Sequence, residues 1–317
     1  MPRITSMGGG HGLFSTLRAA RSLTEKVTAV VTVADDGGSS GRIRRELGQI
    51  PPGDLRMALA ALSGTDDHGQ LWEQVLQHRF TGTGALAGHA AGNLLISALV
   101  EVLGDQIAAL DEVGKLVGVR GRVLPMSPIP LDIEAEVVGL ADDPRIVRKV
   151  RGQVAVATTP GQVRRVSLIP VQPPAQPESV AAIMDADIVT LGPGSWFSSV
   201  LPHLLVPEIA AAINDTDAHR IVVLNLVAEP GETAGFSAER HIHMIARHAP
   251  GIQVDTVLVD ENQLLDPTER MYLQRSASEL GAHVVYHDVA KLSDTGQPTG
   301  RHDPEKLAAA FSAITGL

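Results

Sequence analysis

Runs of Val, Ile and Leu punctuate the chain: VTAVVTVA (27–34), DIVTL (187–191), RIVVLNLV (220–227), DTVLVD (255–260) and HVVYH (283–287). Strands that are apolar on both faces and alternate with helical stretches can be satisfied only by a mostly parallel sheet covered on both faces. RITSM (3–7) reads as a weak first strand, followed by GGGHG and a helix from about Leu13 to Leu23. The segment from Gly53 to about Leu103 reads as mostly helical. Within it NLLISALVEVL is apolar nearly all round, which predicts a buried helix. Residues 119 to 170 break the rhythm: VRGRVLPM, DIEAEVVGL, QVAVATT and VRRVSLIPV are short, β-rich and cut by Pro and Gly. They predict a small antiparallel insertion, joined to the rest by PVQPPAQP (170–177). DTGQPTGRHD (294–303) reads as a loop or mobile lid. A chain of 317 residues, 44% hydrophobic, suffices for one large α/β domain or two small ones.

The charge balance narrows the functions. With 36 acidic against 26 basic side chains the net charge is −10, which argues against non-specific nucleic-acid binding or an anionic membrane surface. Phosphates can then be held only in a local pocket. The 2 Trp, 2 Tyr and 5 Phe are too few for base-stacking platforms. No cysteine is present, so disulfides, thiolate metal sites and thiol nucleophiles are excluded. MPRITSMGGGHG lacks the apolar core of a secretion signal, and no apolar run reaches the ~18 residues of a membrane span, so the expectation is a cytoplasmic protein.

MGGGHGL (7–13) lies between a strand and a helix, where backbone N–H groups and a helix N-terminus approach a phosphate. The dinucleotide fingerprint is only half met, because Leu13 stands at its last glycine. As a lone motif, it leaves nucleotide binding and a tight structural turn both open. Asp35, 23 residues past Gly12, ends the second strand where a Rossmann fold places its ribose-binding carboxylate. The GGSSGR that follows (Gly37, Gly38, Ser39, Ser40, Gly41, Arg42) offers consecutive amides, two hydroxyls and a guanidinium for an anion. Asp35 and Asp36 could carry Mg²⁺ to a phosphate. PPGDLRMALAALS (51–63) starts a helix with Asp54 near its N-terminus, where a negative charge is favourable. GHAAGNLL (88–95) sets His89 and Asn93 four apart, and Asn93 must find a backbone or ligand partner. LGPGSWFSSVLPHLLV (191–206) turns at Gly192, Gly194 and Ser195 without the nucleophile elbow. RHIHMIARH (240–248) lacks a carboxylate to complete a metal set and reads as a solvated helix.

Taken in order, GGGHG, VTVADDGGSSGR, PPGDLR, GHAAGNLL, VRGRVLP, LGPGSWFSSVLPHLLV and PGETAGF resemble the YvcK-like gluconeogenesis-factor family, actinobacterial type, related to the CofD phospholactate transferases. The likeness runs from about residue 7 to residue 260. It implies a Rossmann-like three-layer αβα fold, here a single domain over 1–317, and a homodimer. It further implies binding of UDP-sugars, above all UDP-N-acetylglucosamine, and support of cell shape and wall synthesis on gluconeogenic carbon. An amino-sugar synthesis enzyme and a Ser/Thr kinase are the implied protein partners. Together with the residue reading it gives the candidate ligand-binding set Gly9, Gly10, His11, Gly12, Asp35, Asp36, Gly37, Gly38, Ser39, Ser40, Arg42, Asn93, Gly192, Gly194, Ser195, His203 and Arg301, of which the positions of His11, His203 and Arg301 are those the resemblance assigns to UDP-sugar binding. His11 and His203 stand where the family usually has Thr and Asn.

Three functions compete. The first is a UDP-sugar-binding regulator. The second is a phospho- or nucleotidyl-transferase with Mg²⁺ on Asp35, Asp36 or Asp54, chemistry that needs mainly positioning and charge neutralisation. The third, a nicotinamide dinucleotide-binding protein, is weakened by the broken fingerprint.

Overall fold

The computed structural model describes residues 1–143, 145–229, 232–233, 235–263 and 266–317. Its strands in chain order are β1 Ile4–Gly8, β2 Val27–Val31, β3 Arg122–Pro125, β4 Asp132–Val138, β5 Val147–Arg151, β6 Gln162–Ile169, β7 Ile188–Leu191, β8 His219–Val223, β9 Thr256–Asp260, β10 His283–His287, β11 Ala290–Leu292 and β12 Pro298–His302. Seven of them form one parallel sheet in the order β10-β9-β8-β7-β1-β2-β3, with helices on both sides. β1, β7 and β9 are buried along their whole length, as apolar runs in a two-sided sheet must be. The polar residues of weak-looking β1 are paired inside: Thr190 Oγ1 donates to Ser6 Oγ at 2.9 Å, and Thr5 Oγ1 donates to the Ala182 carbonyl at 2.8 Å.

The chain winds outward from β1 through β2 to β3, then returns to the other side of β1 and winds through β7 to β10. The reversal leaves a crevice outside the carboxyl ends of β1 and β7, the usual ligand position in open α/β sheets. Helix α1 (Gly10–Leu23) follows β1, α2 (Gly38–Leu47) follows β2, and α3 (Gly53–Leu62), α4 (Asp67–Gln77) and α5 (Ala91–Leu103) come before β3.

Several expectations are corrected. VRGRVLPM supplies β3, which pairs in parallel with β2 as the edge of the main sheet; only β5-β4-β6 form the antiparallel insertion. QVAVATT forms a short helix over Gln153–Ala157, because Ala- and Val-rich runs fit either state until packing decides. DTGQPTGRHD is no loop but the turn and second strand of the β11–β12 hairpin. Helix α5 buries one face through Gly92, Asn93, Ile96 and Ser97, while Val102 and Leu103 are exposed. RHIHMIARH is an amphipathic helix, not a solvated one: His241 packs edge-on against Trp196 at 5.0 Å between ring centroids, and only His243 of its first two histidines faces solvent. Among the described residues no single helix is long and apolar enough to cross a membrane.

His203 shows how tightly β2 is locked to the segment after β7. It is fully buried, with Nδ1 2.9 Å from the Ser199 carbonyl and Nε2 3.0 Å from the Val30 carbonyl. A neutral imidazole can donate to only one of them. Burial nevertheless outweighs the pull of the carbonyls and takes the pKa down to about 4. The unfolded chain, with a His pKa near 6.5, therefore takes up this proton first as pH falls. The stabilisation is intact above pH 6.5 and is lost as pH drops towards about 4. We expect His203→Gln to flatten unfolding free energy against pH across that window, whatever its stability at pH 7; denaturant titrations with equal slopes would refute this origin.

Candidate functional site

Three turns meet at the crevice. Gly12 sits so close to the 192–194 turn that an added Cβ would lie 2.1 Å from the Pro193 carbonyl oxygen. At Gly9 a Cβ would strike Asp54 Oδ2 at 2.4 Å, and at Gly53 it would strike Ser40 Oγ at 2.3 Å. The turns after β1 and β7 are thus in backbone contact, while Gly9 and Gly53 leave room for the Asp54 and Ser40 side chains, close approaches that glycine permits. They enclose a cleft of about 440 Å³ bordered by Gly9, Gly10, His11, Gly12, Asp35, Gly37, Gly38, Ser39, Ser40, Asp54, Gly194 and Ser195. An adjoining cavity of about 590 Å³ shares His11, Gly12, Gly194 and Glu229 with it and adds Arg301. The structure therefore draws most of the sequence-derived set around one space. PGETAGF falls partly outside the described residues.

Five members of that set stand behind the cleft. Asp36 accepts a hydrogen bond from Val154 N at 3.0 Å and braces the insertion, while its neighbour Asp35 accepts from Gly37 N at 2.9 Å. Arg42 donates to the carbonyls of Ala85 and Ala87 and fastens the 80–88 loop. Asn93 meets neither backbone nor cleft: Nδ2 donates to Ser39 Oγ at 3.0 Å, and Oδ1 accepts from Arg56 Nε at 2.9 Å. His203 is buried against β2 as described above. The carbonyl of Gly192 accepts from Thr16 Oγ1 inside the protein.

The cleft is rich in backbone donors. α1 begins at Gly10, α2 at Gly38 and α3 at Gly53, and all three glycines line the same space. The residues before them, Gly9, Gly37 and Pro52, provide no side-chain cap, although Gly10 N is already bonded to the Asp54 carboxyl. Arg56, 4% exposed, adds a cation. Its guanidinium is fixed by Asn93 and Gln77, and burial with Arg79 nearby lowers its pKa to about 10, so it stays charged at neutral pH.

Carboxylates oppose these groups. Burial first, then the charge of Asp35, pushes Asp54 up to about 7 despite a hydrogen bond from Gly10 N and the neighbouring Arg56. Burial also raises Asp35. At the far wall Ser195 Oγ donates to Glu232, whose other oxygen accepts from Phe197 N at 3.1 Å. Burial and Glu232 push Glu229 up to about 7. No group of three or more His, Asp or Glu arranged to hold a metal occurs among the described residues. Mg²⁺ needs only one or two carboxylates with phosphate and water, and Asp35 and Asp54 fit that smaller demand.

Sequence reasoning missed Arg56, Arg79, Asn225, Glu229, Glu232 and His302 as residues around this space. Arg56 had a signal, since it is the one cation of an otherwise apolar helix beside Asp54. Asn225 had little; its side chain clasps both the N–H and the carbonyl of Gly194, each at 2.9 Å, from the loop after β8.

The chain matches the family model described as 2-phospho-L-lactate transferase CofD over residues 4–303, and it belongs to that family. Within it the similarity is to gluconeogenesis factors, as the motifs implied. A Mycobacterium tuberculosis protein named "Putative gluconeogenesis factor" is 60% identical over 311 residues, covering 98% of this chain and 90% of that protein. The gluconeogenesis factor of Bacillus subtilis is 36% identical over 318 residues, with 97% and 96% covered. A solved UPF0052-family structure from Bacillus halodurans superposes with a TM-score of 0.84 at 35% identity, covering 98% of both chains.

Asp54 yields a pH test. Its folded pKa of about 7 exceeds the unfolded value of 3.8, so its contribution is present below pH 3.8 and lost as pH rises through 7. Asp54→Asn should therefore gain melting temperature relative to the parent as pH is raised from 5 to 8. A constant difference across that range would show that Asp54 ionises freely.

Proposed function

We propose that the cleft binds the diphosphate of a UDP-sugar and that the protein acts as a regulator of amino-sugar and central carbon flux, with UDP-N-acetylglucosamine the leading ligand. The observation that carries this reading is the meeting at one cleft of the N-termini of α1, α2 and α3, none capped by the side chain of its preceding residue, with buried Arg56. Aligned amides and a pre-set guanidinium bind a phosphate without reorganisation. The gluconeogenesis-factor relatives support the metabolic setting. A cytoplasmic homodimer with an amino-sugar synthesis enzyme and a Ser/Thr kinase as partners completes the proposal.

One observation favours the second reading, a CofD-like Mg²⁺-dependent transferase. Asp35 and Asp54 border a cleft built for anions, and ionised carboxylates there repel a diphosphate unless a cation lies between. In the regulator, protonated Asp54 removes part of that repulsion, and Asp35 meets a hydroxyl or amide instead. Chelation separates the two. We expect UDP-N-acetylglucosamine affinity to survive EDTA; a tenfold or greater loss, restored by Mg²⁺, would overturn the regulator reading. Incubation with UTP, Mg²⁺ and N-acetylglucosamine 1-phosphate should likewise release no pyrophosphate.

Arg301 lines the adjoining cavity and, with Arg56, holds the His11 pKa down beyond the effect of burial. Arg301→Ala should weaken UDP-sugar binding by about 1.5–3 kcal/mol, roughly ten- to hundredfold, with the fold intact. An unchanged dissociation constant in calorimetry would remove Arg301 from the site.

A further inference from the structure

The antiparallel insertion has two edges, and the molecule treats them differently. The outer edge of β6 is met by the helix Ala238–His248: Val166 N donates to His248 Nε2 at 2.9 Å. The outer edge of β5 is left open. Among the described residues no backbone group of Val147–Arg151 bonds to anything but β4, and every residue of the strand except half-buried Val150 is exposed. Such an edge offers unpaired N–H and C=O groups to any chain that can run beside it.

The side chains decide which chain that is. β5 reads VRKVR, three cations and no carboxylate, on a molecule of net charge −10. Its register with β4 sorts them by face. Lys149 and Arg151 stand opposite Glu136 and Glu134 on the solvent face, while Arg148 and Val150 stand opposite buried Val137 and Ala135. Lys149 and Arg151 already pair with Glu134 and Asp132, yet their side chains stay 69% and 56% exposed. Arg148 belongs to no ion pair among the described residues.

Basic side chains on an edge strand commonly serve to prevent pairing. Here they prevent it for a second copy of β5, which would set the same cations against each other, and for any basic segment. They favour a strand that carries carboxylates, since opposite charges across a ladder attract. Val147 in the strand, Ile146 before it and Val154 after it are exposed as well. A partner that alternates acidic with apolar residues therefore fits this edge better than a uniformly charged one.

We propose that β5 is a docking edge for an extended acidic segment of a partner protein, which adds to the insertion as a fourth strand. Its carboxylates lie over Lys149 and Arg151, and its alternate apolar side chains lie beside Val150. Main-chain bonds supply affinity and the cations select the sequence, the division of labour in strand addition generally. β5 runs through Gly152 into Gln153, which borders the cleft, and Val154, whose N–H is held by Asp36. The partner is thus seated next in the chain to the wall of the ligand space, whichever ligand that space takes.

Fluorescence anisotropy on the full chain tests the proposal, with a short, capped, labelled peptide that alternates glutamate with valine. At physiological ionic strength, where exposed charges are screened, this peptide should saturate and its lysine-for-glutamate counterpart should not bind. The acidic peptide methylated at every backbone nitrogen keeps its charge but cannot donate to a ladder, and it should bind at least tenfold more weakly. Arg148→Glu combined with Lys149→Glu should cost the unmethylated acidic peptide a similar factor. In the parent protein that peptide should also slow amide hydrogen exchange within Val147–Arg151, a readout that stands even if the double variant fails to fold. Equal binding of the methylated peptide, or saturation without protection of β5, would show a polyanion held by charge alone and overturn the proposal. Failure of the acidic peptide to bind would overturn it too.

Discussion

The cleft depends on a contact between two stretches of bare backbone. Gly12 and the Pro193 carbonyl belong to turns some 180 residues apart in the chain, leaving adjacent strands on either side of the reversal point. Without room for a single methyl group between them, the first turn of α1 is held against the wall that carries Gly194 and Ser195. Asn225 reinforces the same wall by pairing with both polar groups of Gly194. Glycine backbone therefore forms part of the wall of the space the ligand would occupy, and main chain loses no rotamer freedom when a ligand arrives.

Charge is arranged in layers around that backbone frame. Gln77, Arg56, Asn93, Ser39 and His89 form a continuous side-chain relay behind the floor, ending with Ser39 Oγ 2.9 Å from His89 Nδ1. The relay fixes Arg56 before any anion is present, which is the preorganisation an anion site needs. Against it stand Asp35, Asp54 and Glu229, carboxyl groups whose burial raises their pKa values. Such groups destabilise a folded protein at neutral pH, and their gathering at one cleft is what a functional site looks like.

The central sheet was legible because its strands are apolar on both faces, a pattern only a covered parallel sheet can satisfy. The glycine turns were legible for a related reason: glycine clusters at strand ends have few other uses. β3 was misplaced because its four residues are flanked by Gly and Pro, and only pairing with β2 distinguishes it from the insertion. The β11–β12 hairpin lacks apolar alternation altogether, so nothing local announced that Arg301 and His302 would face the cavity. Asn93 was rightly read as the anomaly in its helix, but its partners come from two other helices, and single-sequence periodicity is blind to such meetings. That Asp35 borders the cleft while Asp36 reaches the insertion accords with the alternation of side chains along an extended chain.

The brace from Asp36 to Val154 gives the antiparallel insertion a part in the site. The next residue back, Gln153, borders the cleft, and Val154 Cγ2 lies 3.0 Å from where a Cβ on Gly37 would be. The insertion is thus a flange bolted to the loop that Asp35 shares, and a shift of that loop on either side is felt on the other. Its outer strand β5, with Arg148, Lys149 and Arg151 exposed, would carry the movement to the surface of an otherwise acidic molecule. Occupancy of a recessed pocket would in this way become visible as geometry on the outside of the protein.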